Sequence, residues 1–80
     1  MNYTYMLRCA DGSLYTGWTA DMGRRLWQHQ SGTGGKYTRS RLPVSLIYCE
    51  MHEDKHQAMR WEMQIKRLTR TEKLGLIRKE

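Results

Sequence analysis

The pattern of hydrophobic and polar positions alternates along the chain between short strand-like runs and longer helical stripes. Residues 3–8 and 13–18 are rich in Tyr, Thr, Leu and Trp, a composition that predicts two β-strands. The turn signal Ala10-Asp11-Gly12 separates these strands. Residues 44–51 are largely apolar and predict a third strand. The first two strands are therefore expected to form a hairpin.

The length of the hairpin loop decides which side chains share a face of the sheet. A two-residue loop would pair Arg8 with Tyr15 and put Tyr5 and Tyr15 on opposite faces. A three-residue loop, with Gly12 in the left-handed conformation, would pair Leu7 with Tyr15. Both tyrosines would then share one face, because strand side chains alternate. The sequence permits both registers.

A first helix is predicted over residues 22–31. Asp21 is a good N-cap, because its carboxylate can accept hydrogen bonds from the free amides of the first turn. Ser31-Gly32 is a stop signal. Residues 32–43 predict a glycine-rich, basic loop that ends at the only proline of the chain.

Two further helices are predicted towards the C-terminus. Asp54 with Gln57 resembles a capping box, which starts a helix. That helix carries apolar residues at the spacing of a core-facing stripe, namely Ala58, Trp61, Ile65 and Leu68. Thr69 with Glu72 gives a second capping-box pattern and a short final helix.

The predicted element order is β-β-α-β-α-α. A three-stranded, mainly antiparallel sheet flanked by helices is the economical layering for this order, so the expected class is α+β. Eighty residues suffice for one small domain, which we expect to span residues 1–80.

Charge changes the expected set of partners. Fourteen Lys and Arg residues oppose eight Asp and Glu residues, which leaves a net charge of +6. This charge favours a polyanionic partner, with nucleic acid first and a membrane surface second.

No apolar run approaches the roughly 20 residues needed to span a bilayer, and the first residues lack the pattern of a signal peptide. Cys9 and Cys49 are isolated in predicted strands and are expected to be small buried thiols. These features predict a reduced, cytoplasmic protein.

Several side chains are candidates for chemistry. Glu62 falls beside the apolar stripe, where an inward carboxylate is costly unless it is paired or bound to a metal. The alternative is a glutamate at the stripe edge that reaches water. Arg25 and His29 lie one helical turn apart and could clamp a phosphate beside a proton donor. The alternative for these two is a solvated basic face.

Tyr5 and Tyr15 are candidates only in the company of a cation. A phenol has a pKa of about 10 and is a poor base at neutral pH, but a nearby metal, Arg or Lys lowers that barrier. Without such a partner they are ordinary strand residues.

The basic loop contains cations interleaved with an aromatic residue, namely Lys36, Tyr37, Arg39 and Arg41. This composition is typical of backbone phosphate contacts combined with one base stack. The loop lacks the glycine spacing and the Lys-Ser/Thr pair of a nucleotide-binding P-loop. The alternative is a flexible, solvated loop.

Residues 52–56 match the H-E-x-x-H pattern of zinc hydrolases. That chemistry needs both histidines on one helix face with the glutamate as base. Because Asp54 is the predicted helix cap, His52 and Glu53 would precede the helix and the two rings would diverge. We interpret the match as chance and keep a zinc hydrolase as a third hypothesis.

The ordered set Tyr5, Tyr15-Thr16-Gly17, Arg25, His29 and Glu62 resembles the GIY-YIG nuclease superfamily. Its first half-motif is present as Thr4-Tyr5-Met6 and its second as Tyr15-Thr16-Gly17. Three runs look like the small standalone bacterial members: residues 5–17, residues 36–39 and residues 68–74. The resemblance covers essentially the whole chain.

The resemblance implies a three-stranded antiparallel sheet flanked by helices and hydrolysis of one DNA strand with a single divalent cation, Mg²⁺ or Mn²⁺. Glu62 would ligate the metal. Tyr5 would activate or position the attacking water, and Tyr15 would bind the scissile phosphate or share the base role. Arg25 would stabilise charge on the phosphate. His29 would orient a tyrosine or relay a proton.

The implied function is an endonuclease of low sequence specificity in DNA repair or recombination, acting on DNA that is structured or single-stranded. RNA is an alternative substrate. A membrane partner is not expected, and the sequence identifies no protein partner. Tyr3 and Thr4 replace the glycine and hydrophobic residue of the first half-motif, and the only Asn is Asn2, whereas many members have a helical Asn after the glutamate. These departures motivate a second hypothesis, a noncatalytic nucleic-acid-binding module.

Overall fold

A computed structural model describes residues 1–77 of the chain. Its strands are β1 (Asn2–Arg8), β2 (Leu14–Thr19) and β3 (Ser45–His52). Its helices are α1 (Met22–Ser31), α2 (Lys36–Arg39), α3 (Lys55–Lys66) and α4 (Arg70–Gly75). The strands form one antiparallel sheet in the order β2-β1-β3. The predicted α+β class and the three-stranded antiparallel sheet are confirmed.

The hairpin adopts the register that puts both tyrosines on one face. Leu7 pairs with Tyr15, and Tyr5 pairs with Gly17. Gly12 has a φ of 85°, the left-handed conformation that the three-residue loop requires. The two-residue alternative is therefore wrong.

The central strand β1 divides the interior into two layers. Tyr5 and Leu7 belong to a buried cluster on one face, against which Met22 and Leu26 of α1 pack. On the other face, the hydroxyl of Thr4 donates a hydrogen bond to a main-chain carbonyl of α3 at 2.8 Å. Helices α1 and α3 thus cover opposite faces of the sheet.

Helix boundaries follow the predicted caps closely. The Asp21 carboxylate accepts a hydrogen bond from the Arg24 amide at 3.1 Å, and Gly32 ends α1 in the left-handed conformation with a φ of 87°. Asp54 caps α3 by accepting from the His56 amide at 3.0 Å. The capping box at the start of α4 is present as predicted.

Two details differ from the expectations. Residues 32–43 are not all loop, because the short helix α2 lies within them. Cys49 is exposed rather than buried, because β3 is an edge strand with a neighbour on one side only, whereas Cys9 is buried directly after β1. Both thiols are free. Between residues 1 and 77, no helix combines the length and apolar character that crossing a bilayer requires.

Candidate active site

Tyr5 and His29 form the centre of a buried polar cluster. Tyr5 projects from the middle of β1, His29 from the last turn of α1, and both side chains are at most 1% exposed. The phenol oxygen of Tyr5 lies 2.8 Å from Nε2 of His29. The other ring nitrogen, Nδ1, lies 2.9 Å from the hydroxyl of Thr38 in α2.

Tyr15 lies beside this pair, as the hairpin register requires. Its ring centroid is 5.2 Å from that of His29 and 6.4 Å from that of Tyr5. Gly17 lies directly beneath Tyr5, since a Cβ atom at Gly17 would be only 2.6 Å from the phenol oxygen. The glycine of the Tyr-Thr-Gly triplet is therefore needed for close approach.

Arg25 is held in place one helical turn before His29. One guanidinium nitrogen donates to the side chain of Gln28 at 2.9 Å, and another donates to the Gly34 carbonyl at 2.8 Å. Two fixed hydrogen bonds on a half-buried side chain leave the guanidinium with a defined position. The alternative of a freely solvated basic face is therefore wrong for this residue.

The electrostatics of the cluster follow from burial and from the charge of Arg25. Burial, with a smaller contribution from Arg25, lowers the pKa of His29 to about 4. Burial raises the pKa of Tyr5 to about 12, against the opposing effect of Arg25, and the charges of Tyr15 and Glu62 raise it further. At neutral pH the imidazole is therefore uncharged and the phenol keeps its proton.

Glu62 is the candidate residue that α3 carries. Its side chain is 17% exposed, and its carboxylate lies 3.2 Å from the ammonium group of Lys66, one turn along the helix. Its negative charge contributes to the raised pKa of the Tyr5 phenol. Glu62 is therefore largely buried at the edge of the apolar stripe and is paired, rather than reaching freely into water.

Of the oxygen donors that magnesium or manganese prefers, this site contains the Glu62 carboxylate. Mg²⁺ keeps several waters and needs only one or two protein carboxylates together with substrate phosphates. Glu62 supplies one carboxylate close enough to act electrostatically on Tyr5. Among residues 1–77 no three His, Cys, Asp or Glu side chains cluster as metal ligands. The zinc set of the third hypothesis, His52, Glu53 and His56, is thus not assembled, since the N-cap Asp54 separates the strand from the helix.

The basic segment, residues 36–41, contacts the site through the ring of Tyr37. The ring of Tyr37 stacks on that of Tyr15 with centroids 5.8 Å apart. The Arg41 guanidinium lies 3.8 Å from the centre of the Tyr37 ring and also binds Asp11 at 3.1 Å. Lys36 and Arg39 are exposed on α2. Two of the four predicted nucleic-acid contacts are therefore already engaged with protein groups.

A separate cleft of about 320 Å³ lies between β3 and α3, lined by Glu50, His52, Gln57, Arg60, Trp61 and Gln64. Glu50 pairs with Thr4 across the sheet, so it shares the face that α3 covers. None of the five candidate residues lines this cleft. The polar cluster around Tyr5 and the cleft are therefore distinct surfaces.

Three residues of the site were missed by sequence reasoning. Gln28 fixes Arg25 from three positions along the same helix, a spacing that the sequence displays. Thr38 and the Gly34 carbonyl depend on where α2 packs against α1, and no local pattern reveals that packing.

Comparison with known proteins identifies the family of the chain. The family model of the GIY-YIG catalytic domain matches residues 1–75. The chain is 53% identical to a UPF0213 protein of Clostridium perfringens over 77 residues, which cover 96% of this chain and 83% of the relative. It is 54% identical to a UPF0213 protein of Streptococcus sanguinis over 76 residues, which cover 95% and 87% of the two chains.

A solved structure is similar over the same region. The solution NMR structure of a UPF0213 protein from Bacillus halodurans is 49% identical, with a TM-score of 0.62, and the match covers 96% of this chain and 83% of that one. The UPF0213 designation states no activity. Since the family model spans nearly all of the chain and the relatives share about half of its residues, the chain belongs to the GIY-YIG catalytic domain family.

Proposed function

We propose that the protein is a divalent-metal-dependent endonuclease that hydrolyses DNA phosphodiester bonds with low sequence specificity. Membership of the GIY-YIG family implies nuclease activity in the family. The observation that carries the proposal is the buried hydrogen bond of 2.8 Å between Tyr5 and His29, which lies beside Tyr15 and Arg25. Packing alone gives no reason to bury two polar side chains from separate elements against each other and beside a guanidinium.

Each side chain has a role that its position supports. Arg25, fixed by Gln28 and Gly34, would bind a non-bridging phosphate oxygen and offset the negative charge that develops in the transition state. Tyr5 would position the attacking water through its phenol oxygen. Tyr15, half-buried beside it, would donate a hydrogen bond to the scissile phosphate.

Glu62 would hold the metal. Mg²⁺ or Mn²⁺ bound there would supply Lewis-acid stabilisation of the phosphate. The carboxylate must exchange its ion pair with Lys66 for the cation, and Lys66, with 55% of its side chain exposed, is free to move into solvent. The exposed cations of α2, Lys36 and Arg39, would contact the DNA backbone outside the reacting phosphate.

The substrate would be recognised by backbone and shape. The net charge of +6 favours a polyanion without selecting a base sequence. We further propose a cytoplasmic location and a role in DNA repair or recombination, with structured or single-stranded DNA as substrates. RNA is tested alongside DNA.

A cleavage assay tests the proposal directly. End-labelled single-stranded, duplex and branched DNA, and a matching RNA, are incubated with the wild type, with Glu62→Ala and with Glu50→Ala in Mg²⁺, Mn²⁺ or EDTA. Glu50→Ala is the matched control, because it removes a carboxylate that lines the separate cleft and bonds the hydroxyl of Tyr48. The proposal predicts cleavage that needs metal, is lost in Glu62→Ala and persists in Glu50→Ala. Wild-type speed in Glu62→Ala would refute the assigned site.

A noncatalytic nucleic-acid-binding module is the second candidate. The ion pair between Glu62 and Lys66 favours it, because a carboxylate that is already neutralised binds a cation less readily. This candidate predicts salt-dependent DNA binding with no turnover at any metal concentration. Reproducible turnover that Tyr5→Phe abolishes would exclude it.

A further inference from the structure

The side chain of Tyr15 is held by ring contacts rather than by a hydrogen bond. Tyr15 is half-buried, and among residues 1–77 its hydroxyl has no hydrogen-bond partner. The hydroxyl of Tyr5, by contrast, lies 2.8 Å from Nε2 of His29. The direction in which the Tyr15 hydroxyl points is therefore set by the groups that pack against its ring.

The ring of Tyr15 has firm support on its buried side and depends on Tyr37 on its outer side. The rings of Tyr5 and His29 are tilted against it, and both residues are at most 1% exposed. Tyr37 instead stacks on it, with 5.8 Å between the ring centroids and 29° between the planes. Tyr37 is 38% exposed and belongs to the four-residue helix α2, which has no side-chain N-cap hydrogen bond. The outer support of Tyr15 is thus only as firm as the contacts that hold Tyr37.

Arg41 makes the contacts that hold Tyr37. Its guanidinium carbon lies 3.8 Å from the centre of the Tyr37 ring, within the range of a cation–π interaction. One guanidinium nitrogen donates to the Tyr37 carbonyl at 2.9 Å and to the Ser40 hydroxyl at 3.1 Å. Arg41 therefore contacts both the ring and the main chain of Tyr37.

Asp11, in the loop between β1 and β2, holds Arg41 in turn. Nε of Arg41 donates to Oδ2 of Asp11 at 3.1 Å, and the Ala10 amide donates to the Arg41 carbonyl at 2.9 Å. The other carboxylate oxygen, Oδ1, accepts hydrogen bonds from the amide and the hydroxyl of Ser13. Asp11 therefore joins the hairpin turn to Arg41 through two different oxygens.

These contacts favour orientation as the role of Arg41, rather than phosphate binding. Its charge is already paired with Asp11, so a DNA phosphate would have to compete with a carboxylate. The two side chains are 34% and 52% exposed, and an ion pair so exposed contributes little to stability. A planar guanidinium held by several hydrogen bonds and stacked on a ring nevertheless has a defined position.

We propose that Arg41 is a positioning residue that holds Tyr37 against Tyr15 and thereby fixes the Tyr15 hydroxyl for the scissile phosphate. Asp11 supports this arrangement from the hairpin loop. Arg41 acts through Tyr37 and is not itself a DNA contact. The catalytic consequence rests on the proposed function, whereas the stacking is a property of the protein alone.

The stacking is measured without substrate or metal. Aromatic ¹H–¹³C spectra of protein with ¹³C-labelled tyrosine report each ring, and Tyr15→Phe identifies the Tyr15 signals among the five tyrosines. Arg41→Lys keeps the positive charge but loses the planar group that stacks and donates several hydrogen bonds. The Tyr15 and Tyr37 signals should move in Arg41→Lys, while those of Tyr48, in the separate layer under α3, should stay in place. Tyr15 signals that do not move would overturn the proposal.

Asp11→Asn tests the same contacts from the other end. Asparagine keeps an oxygen that can accept from Ser13, but it loses the charge that pairs with Arg41. The Tyr15 signals should therefore move in the same direction as in Arg41→Lys. If Arg41→Lys does not fold, Asp11→Asn decides the proposal, and unmoved Tyr15 signals in that variant would contradict it.

Cleavage kinetics provide the second readout. A slightly misplaced group at a reacting centre costs up to about 100-fold, so Arg41→Lys should lower kcat by about 10- to 100-fold with little change in KM. Arg60→Lys is the matched control, because Arg60 lines the separate cleft, and it should keep the wild-type rate. Tyr37→Leu should lose the rate, and Tyr37→Phe, which keeps the ring, should restore it. A full rate in Arg41→Lys would also overturn the proposal.

The salt dependence of DNA binding distinguishes positioning from a phosphate contact. A cation that binds a phosphate of duplex DNA contributes about 0.9 to the slope of log K against log salt. Arg41→Ala should leave this slope unchanged, and a slope flattened by that amount would make Arg41 a DNA contact instead. Moved Tyr15 signals without any cleavage by the wild type would refute the proposed function alone. Cleavage by the wild type with unmoved Tyr15 signals in Arg41→Lys would refute only this inference.

Discussion

The phenol oxygen of Tyr5 and Nε2 of His29 are 2.8 Å apart, although 24 residues separate them in the chain. Each side chain is carried by a regular element, Tyr5 by the central strand β1 and His29 by the last turn of α1. Both are buried, so neither can relax without disturbing its element. The pair is therefore held in one geometry before any substrate binds, as a precise site requires.

Removing the Tyr5 hydroxyl should separate catalysis from binding. Tyr5→Phe keeps the buried ring but deletes the oxygen that would position water, so we expect cleavage to fall by about 100-fold or more. DNA affinity should be unchanged, because the phenol carries no charge at neutral pH: burial raises its pKa to about 12. Single-turnover cleavage and fluorescence anisotropy measure the two quantities.

Tyr48→Phe is the matched control for this experiment. Burial also raises the pKa of Tyr48 to about 12, and its hydroxyl bonds Glu50 and receives the indole N–H of Trp61 at 3.0 Å. It lies on the face of the sheet covered by α3, because it pairs with Met6. Tyr48→Phe should therefore reduce stability but not cleavage. An equal loss of cleavage in both variants would mean that the effect of Tyr5→Phe is structural.

Local patterns in the sequence predict much of this site. The pairing of Leu7 with Tyr15 is one of the two hairpin registers that the sequence permits, the one with a left-handed Gly12, and the bounds of α1 follow from Asp21 and Gly32. Arg25 and His29 are then necessarily one turn apart on one helix. These features depend on backbone conformations and caps within a few residues, which sequence specifies well.

Tertiary packing decides what local patterns cannot. Helix α2 has four residues and no side-chain N-cap hydrogen bond, so its sequence carries little helical signal. Its position nevertheless brings Thr38 to His29 and Tyr37 to Tyr15. The exposure of Cys49 has the same origin, since it follows from the edge position of β3 and not from its own residue type.

Substituting Gly17 should displace Tyr5. An added Cβ would lie 2.6 Å from the phenol oxygen and 2.8 Å from the adjoining ring carbon, in a site where the ring is buried and cannot swing away. We expect Gly17→Ala to cost about 1–3 kcal/mol of unfolding free energy, as overpacked cores do, and to abolish cleavage. Urea denaturation and the cleavage assay measure these effects.

Gly23→Ala serves as the control for adding a methyl group. Gly23 lies in the first turn of α1, where the new Cβ would be 4.0 Å from the Asp21 carboxylate, an ordinary contact. Replacing glycine by alanine in a helix contributes up to about 1 kcal/mol of stability. Gly23→Ala should therefore be at least as stable as the wild type and fully active. Activity retained by Gly17→Ala would show that Tyr5 tolerates displacement.

Protonation of His29 should destabilise the fold in mild acid. Its pKa falls from 6.5 to about 4 on folding, so between these values the unfolded chain binds more protons than the folded one. The free energy of unfolding should therefore decrease as the pH falls through this window, by about 3 kcal/mol in all. The groups around the ring are Arg25, Tyr5, Tyr15 and Thr38, none of which is a carboxylate that could stabilise the imidazolium.

Urea titrations of the wild type and His29→Gln at about pH 7 and at about pH 4.5, on either side of the ordinary histidine pKa, isolate this contribution. His52, His56 and every carboxylate are present in both proteins, so their effects cancel in the comparison. The pH-dependent loss of stability should be smaller in His29→Gln by the contribution of this one ring. An equal loss in both proteins would mean that His29 keeps an ordinary pKa in the fold.

The exposed cations of α2 should contribute to DNA affinity independently of cleavage. Lys36 and Arg39 are exposed, whereas Arg41 is engaged with Tyr37 and Asp11. Removing one cation that binds a phosphate should reduce the slope of log K against log salt by about 0.9 for duplex DNA. Lys36→Ala and Arg39→Ala should therefore each flatten the slope by about that amount, and the double variant by their sum.

Arg60→Ala is the control, because Arg60 carries the same charge but lines the separate cleft beside β3. Anisotropy titrations at several salt concentrations, with catalysis prevented by EDTA, give the slopes. A slope unchanged by Arg60→Ala but flattened by the α2 variants would locate the DNA path over α2, next to the stacked rings of Tyr15 and Tyr37. An equal effect of all three substitutions would instead indicate diffuse attraction by the net charge of the chain, without a defined path.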